Sequence, residues 1–292
     1  MYHKTLSYRV FNVFNHVFLA LLSLLCTIPL IHVLAVSFSG KAAASANKVG
    51  LWPVDFTLDA YEKTLGNENF IQALIISVER VVLGTSLSML VIFLAAYALS
   101  KDEKVFRGRN IYSWFFVFTM LFSGGMVPMY ILMQKIHLMN TIWALIIPGL
   151  VNVWNMILLL NFFRGVPKEL EEASLIDGAG HLTTLFRIFL PLSMPAIATL
   201  SLFTLVGQWN DWFSGLLYIS DYKKYPLATF LQTILVQQDM SKMNVDPKLL
   251  ENISQRTVKA AQIFIGAVPV LLIYPFLQKY FVKGIVLGAV KE

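Results

Sequence analysis

The sequence predicts an all-α integral membrane protein with six transmembrane helices. Three observations lead there. The 292 residues are 57% hydrophobic and only 14% charged, with a mean hydropathy of +0.66, which is too apolar for an ordinary soluble domain. Six runs approach the roughly 20 mostly apolar residues that a spanning helix needs: 14–36, 70–99, 110–133, 141–163, 192–219 and 261–281. Between the second and third, the segment KDEKVFRGRN (101–110) carries four Lys/Arg. The positive-inside rule places it in the cytoplasm, together with both ends of an even-numbered set of spans.

The first run follows MYHKTLSYR without an A-x-A-like cleavage site, so it reads as a retained helix. The only cysteine, Cys26, lies inside it. That excludes an intrachain disulfide and a cysteine-based zinc site, and leaves Cys26 as a small packing residue. On the second run Glu79-Arg80 is either a structural ion pair with a neighbouring helix, which we favour, or a solute contact. On the third, LFSGG (121–125) invites comparison with the LSGGQ signature of ATPase subunits. It lacks the glutamine and lies in an apolar span, so close helix packing at Gly124 and Gly125 is the expectation. Pro29, Pro128, Pro148, Pro269 and Pro275 interrupt the runs, each as a plain kink or as a true break.

Polar groups inside the last spans carry most of the chemistry. On the fifth run Gln208, Trp209, Asn210, Asp211 and Trp212 gather amide, carboxylate and indole groups, with Trp154 and Asn155 a weaker set on the fourth. Sugars present hydroxyls to amides and carboxylates and C–H faces to aromatic rings, so the set suits a carbohydrate pathway. An aromatic belt with a helix-to-helix hydrogen bond is the competing reading. The outer segments are 37–69, 134–140 and 220–260, and the last carries Lys223, Lys224, Lys242, Lys248, Arg256 and Lys259. With a net charge of +6, that basic segment hints at an acidic oligosaccharide. No repeat and no linker divides the chain, which reads as one membrane domain, 1–292.

One strip does not belong to a span: EEASLIDGAGHLTTLFRIFLP, 171–191. Pro167 followed by Lys168, Glu169, Glu171 and Glu172 reads as a helix start, because carboxylates there meet the positive end of the dipole. Val166, Leu170, Ala173 and Ile176 share one face. Asp177-Gly178 supplies a turn in which glycine takes left-handed geometry. A second amphipathic piece follows with Leu182, Leu185, Phe186, Phe189 and Leu190 at helical spacing, ending at Pro191. The strip is either a helix lying on lipid headgroups or a dock for a protein partner, and its acidic head favours the partner.

The run Glu172-Ala173-Ser174-x-x-Asp177-Gly178-Ala179, followed by Phe186, Ile188, Leu190 and Pro191, resembles the EAA motif of ABC importer permeases. Ser174 departs from the usual second alanine. FFRGVPKELEEAS (162–174), the WND within GQWNDWF (207–213) and YFVKGIVLGAVKE (280–292) are similar to the carbohydrate-uptake, maltose-type branch. MLFSGGMVPMYILM (120–133), NTIWALIIPGLVNVWN (140–155) and VLLIYPFLQKYFVKG (270–284) are similar to its LplC-like subgroup. These matches cover about residues 110 to 292.

The resemblance implies a type I ABC importer permease of the bacterial inner (cytoplasmic) membrane, with a cytoplasmic coupling helix between helices four and five. It implies ATPase-subunit docking through Leu170, Glu171, Glu172, Ala173, Ser174, Asp177, Gly178 and Ala179. Its partners would be a second homologous permease, an ATPase dimer holding ATP and Mg, an extracytoplasmic solute-binding protein and membrane lipid; nothing points to nucleic acid. The 37–69 and 220–260 segments would meet the binding protein. The chain itself lacks a phosphate loop, since Gly40-Lys41 has Ala35 in place of the first glycine and Ala42 after it. Five histidines show no metal-ligand spacing and no catalytic set is arguable. The alternative is an ion-coupled secondary transporter, which would route a proton or sodium ion through Asp211 and Glu79.

Overall fold

A computed structural model of the chain describes residues 5–241 and 255–289. Every regular element among them is helical. Among the described residues three helices are long and apolar enough to cross a membrane: α1 (Leu6–Ser37), α4 (Glu68–Ser100) and the Arg256–Pro275 part of α14 (Gln255–Ala289). Pro29, Pro269 and Pro275 lie inside these helices without ending them. Helix α1 is apolar all round and exposed along most of its length, as expected of a helix bathed in lipid. The chain forms two compact units, one of residues up to Phe70 with Ile234–Val268, the other of Ile71–Thr233 with the stretch from Pro269.

In the first unit, the end of α1 packs against the short helices α2 (Lys41–Ser45) and α3 (Asp59–Leu65). Ala35, Val36, Ala43, Ala44, Val49 and Ala260 make its core. The Ser39 hydroxyl donates to the Ala35 carbonyl (2.6 Å) and accepts from the Val54 amide (3.0 Å), so no polar atom of that turn is left bare. Two cations of the basic outer segment are used internally. Arg256 donates to the Ala44 carbonyl at 3.1 Å and to the Asn47 side chain, and Lys259 to the Ile234 carbonyl at 3.0 Å. Lys242 and Lys248 lie outside the described residues.

The second unit is built on the apolar face of α4. Met89, Ile92, Ala96 and Tyr97 interdigitate with Met156, Leu159, Leu160 and Phe163 of α8 (Val153–Arg164) and with Ala196 and Leu200 of α12 (Met194–Asn210). Here three runs read as continuous are broken, so boundaries change. The 110–133 run is two helices, α5 (Arg109–Leu121) and α6 (Met126–Lys135), at 112°. Phe122 is extended and Gly125 takes φ +85°, a conformation in which a side chain is strained. A Cβ on Gly125 would meet nothing within 4 Å, so this glycine serves the bend, not the close helix packing expected. Pro128 falls in the first turn of α6, where its missing N–H costs no helix bond.

The 141–163 run is likewise α7 (Ile142–Ile146), a 3-10 turn at Ile147–Gly149 containing Pro148, and α8, bent by 50°. The 192–219 run stops at Asn210 and resumes as α13 (Phe213–Tyr218), with Asp211 in extended geometry between them. Proline or glycine stands at the first two of these breaks and Asp211 at the third, whereas Pro29, Pro269 and Pro275 break neither α1 nor α14. Where a break occurs, buried side chains and neighbouring helices must take over the backbone groups it releases.

Gly215 on α13 marks a close approach: a Cβ there would lie 2.0 Å from Thr229 Oγ1, which donates to the Trp212 carbonyl at 2.9 Å. Gly215→Ala is expected to lower stability by about 1–3 kcal/mol, as overpacking does. A drop in the thermal midpoint of the detergent-solubilised protein, partly relieved by Thr229→Ala in the same chain, would show it.

Candidate functional site

The strip 165–192 folds as a short helix, a glycine turn and a second helix. Helix α9 (Lys168–Ile176) begins after Pro167, with Glu169 and Glu171 in its first turn facing the positive end of the helix dipole. It ends in a left-handed cap. The Gly178 amide donates to the Leu175 carbonyl (3.1 Å) and the Ala179 amide to the Ser174 carbonyl (2.9 Å), with Gly178 at φ +80°. The next helix begins as α10 (His181–Thr184), widens into a π turn over Leu185–Phe189 and closes as α11 (Leu190–Leu192).

One side of α9 is anchored. Lys101, just past α4, reaches Glu171 Oε1 at 2.6 Å, and Lys168 reaches Asp102 Oδ2 at 2.6 Å. The loop after α4 and the strip therefore lie at the same end of the unit. Burial pulls the Lys101 ammonium below its ordinary pKa, and Glu171 opposes that pull. Beside Lys168, the exposed Asp102 carboxyl sits below its usual range. The Ser174 hydroxyl, buried, donates to the Glu171 carbonyl at 2.8 Å and pairs with the Thr184 hydroxyl at 3.0 Å. A methyl in its place would leave Thr184 one partner poorer.

The other side is bare. Leu170, Ala173 and Ile176 form an exposed stripe, with Ile176 86% accessible, and Glu172 and Asp177 are exposed beside it. Val166 leaves this stripe and packs on the core. The second piece does not bury the face its spacing predicts. Leu185 and Phe189 are buried while Leu182 and Phe186 are exposed, because the π turn changes the angular step between residues.

Deeper in the unit lies a polar cluster. Arg80, 2% exposed, pairs with Asp211 Oδ2 at 2.5 Å, and also donates to Gln208 Oε1 (3.0 Å) and to the carbonyls of Asp211 (2.8 Å) and Leu145 (3.3 Å). Asp211 in turn caps α13, accepting from the Ser214 amide at 3.2 Å and from its hydroxyl. The expected structural ion pair on the second span therefore belongs to Arg80, whereas Glu79 is exposed. A cavity of about 220 Å³ opens beside the pair, its polar rim formed by Asn152, Thr204, Gln208, Asp211, Ser214 and Tyr218. A second, more apolar one of about 500 Å³ lies at the α5–α6 bend and shares Ser214 and Tyr218 with it.

Of the pathway candidates, Gln208 and Asp211 line the smaller cavity. Asn155 is buried and donates to Thr204 Oγ1 at 3.2 Å, and Trp209 is buried. Trp154, Asn210 and Trp212 are exposed and line neither cavity. Sequence reasoning missed Asn152, Thr204, Ser214 and Tyr218, whose residue types are ordinary and which only the breaks bring together. Among the described residues no group of His, Cys, Asp and Glu is placed to hold a metal ion.

A family described as "Binding-protein-dependent transport system inner membrane component" matches residues 104–287. The chain belongs to this family. The permease is 41% identical to the "Polygalacturonan/rhamnogalacturonan transport system permease protein YtcP" of Bacillus subtilis, over 97% of this chain and 99% of that one. It is 39% identical to "Protein LplC" of the same organism, over 99% and 97%. A crystal structure of a bacterial ABC transporter involved in the import of the acidic polysaccharide alginate holds a chain that superposes with a TM-score of 0.85 at 32% identity, covering 95% of this chain and 98% of that one. The chain is thus an inner-membrane permease subunit of an ABC importer that works with a binding protein, which sets aside the ion-coupled alternative.

Removing one member of a buried ion pair leaves the other uncompensated, at about 3–5 kcal/mol. Asp211→Asn, which leaves the buried Arg80 guanidinium without its counter-charge, should therefore sharply lower the thermal midpoint of the purified permease, and Arg80→Met, which leaves the more exposed Asp211 carboxylate, by less. The double variant Arg80→Met/Asp211→Asn should be more stable than the sum of the two predicts.

Proposed function

We propose that this chain, as one permease domain over 1–292, is one of two related transmembrane subunits of an ATP-driven importer for an oligosaccharide bearing acid groups. It crosses the membrane six times if each bent helix pair counts as one crossing. The reaction that drives it, hydrolysis of ATP with Mg, takes place in two separate ATPase subunits. Helix α9 is the coupling helix. Leu170, Ala173 and Ala179 pack into a groove of the ATPase subunit, Glu172 and Asp177 offer charge to its basic residues, and Gly178 sets the turn. Glu171 and Ser174 hold the helix from behind.

The observation that carries this reading is the two-sidedness of α9: ion-paired to the loop after α4 on one side, apolar and uncovered on the other. A helix on lipid headgroups would gain nothing from the acids beside that stripe. The solute would pass the Gln208–Asp211 cavity, whose amides and hydroxyls match sugar hydroxyls. Oligosaccharide as the solute class is supported by the relative named for polygalacturonan/rhamnogalacturonan and by the alginate importer. The outer segments 37–69 and 220–260, part of which lies outside the described residues, are where the binding protein would sit.

Tagged wild-type chain, purified from its own membrane, should bring down an ATPase subunit, and Gly178→Pro and Glu172→Lys should lose it while retaining the second permease. Equal recovery from all three chains would remove α9 from the docking role. In the reconstituted importer, ATP hydrolysis should rise more with an oligogalacturonate than with a neutral glucan of equal length, and equal stimulation would reject the acidic solute.

A further inference from the structure

Helix α9 has to do more than bind. If an ATPase subunit moves it, the displacement has to reach the membrane helices and not be taken up by the loops that flank it. Among the described residues two ion pairs cross from the strip to the rest of the unit, and they differ sharply. Lys168–Asp102 is open to solvent, with both side chains more than half exposed, and such a pair exchanges readily with water. Lys101–Glu171 is enclosed.

The enclosure has a definite composition. Lys101 Nζ lies 2.6 Å from Glu171 Oε1, 3.7 Å from the centre of the Tyr97 ring and 4.2 Å from that of Phe189. The two rings meet edge to face with centres 5.0 Å apart. Tyr97 belongs to α4, Glu171 to α9 and Phe189 to the π turn, so one ammonium joins three elements. The aromatic faces attract the cation where water is scarce, and the carboxylate fixes its direction. Thr184 and Ser174, hydrogen-bonded at 3.0 Å, close the same seam between α9 and the following helix.

We propose that Lys101 is a positioning residue for transport: seated between Tyr97 and Phe189 and paired with Glu171, it makes α9 and the end of α4 move as one body. Helix α4 also carries Arg80 beside the polar cavity, so a push on the docking helix is delivered along a single rigid element to the solute route. This inference rests on the docking role of α9, and its failure is distinguishable from failure of that role.

The test uses the whole importer, with both permeases, the ATPase subunits and the binding protein, reconstituted in liposomes. Solute uptake and ATP hydrolysis are measured together, and ATPase recovery by co-purification is measured alongside. Lys101→Met is expected to keep the ATPase subunit and to hydrolyse ATP, while solute moved per ATP falls at least about fivefold, the lower end of ordinary coupling between sites. Lys101→Arg, which keeps a cation over the rings, should recover most of the ratio, and Lys168→Met should leave it unchanged. If Lys101→Met fails to accumulate, Glu171→Gln, which keeps shape and hydrogen bonding, should show a reduced ratio on its own. An unchanged ratio in Lys101→Met, or in Glu171→Gln where that variant stands in, overturns the positioning role. Wild-type chain that recovers no ATPase subunit overturns the docking role, and the positioning role with it.

Discussion

A guanidinium inside a bilayer protein has to satisfy each of its N–H donors from within the protein, and the arrangement around Arg80 follows from that constraint. Its partners are Gln208 and Asp211 from the end of α12 and the Leu145 carbonyl of α7. The fifth apolar run must therefore stop at Asn210, because only an interrupted helix offers both a main-chain carbonyl and a capping carboxylate at one place. The stop leaves Asp211 free to start α13, and the space beside the turn becomes the polar cavity. A continuous helix through 192–219 would take the Asp211 carbonyl into its own ladder and away from Arg80. The break and the charge explain each other.

The same economy governs the other end of the unit. Ser174 is buried, and its hydroxyl joins α9 to Thr184. Glu171 faces inward to Lys101, so neighbouring acids of one sequence run have opposite tasks: Glu171 holds the helix to its own chain, and Glu172 is left for whatever approaches from outside. Helical spacing separates them by about 100°, which is enough to split a run of like charges between two surfaces.

Much of this was legible in the sequence. The apolar runs, the helix start at Pro167 and the glycine turn at Gly178 all follow from local rules, because each is decided within a few neighbouring residues. What could not be read was pairing over distance. Arg80 and Asp211 are 131 positions apart, and nothing near Arg80 distinguishes it from Glu79, which stays exposed. Breaks were hidden as well. Hydropathy is indifferent to a 112° bend at Gly125, since the residues on both sides remain equally apolar. The basic outer segment misled in a milder way: charge counts do not reveal that Arg256 and Lys259 are already bonded to backbone carbonyls.

The π turn over Leu185–Phe189 has a consequence for how such a chain can change. A wide turn holds one residue more than an α turn, so it sets the rotational phase of everything before it against everything after it. Deleting a single residue there would restore a regular helix and swing α9 and α10 through about 100° around the axis of 181–192, which stands at 87° to the following span, turning Leu182 inward. The turn is thus a vernier between α9 and the core: its width sets which face α9 turns away from the unit, while Leu185 and Phe189 within it stay buried.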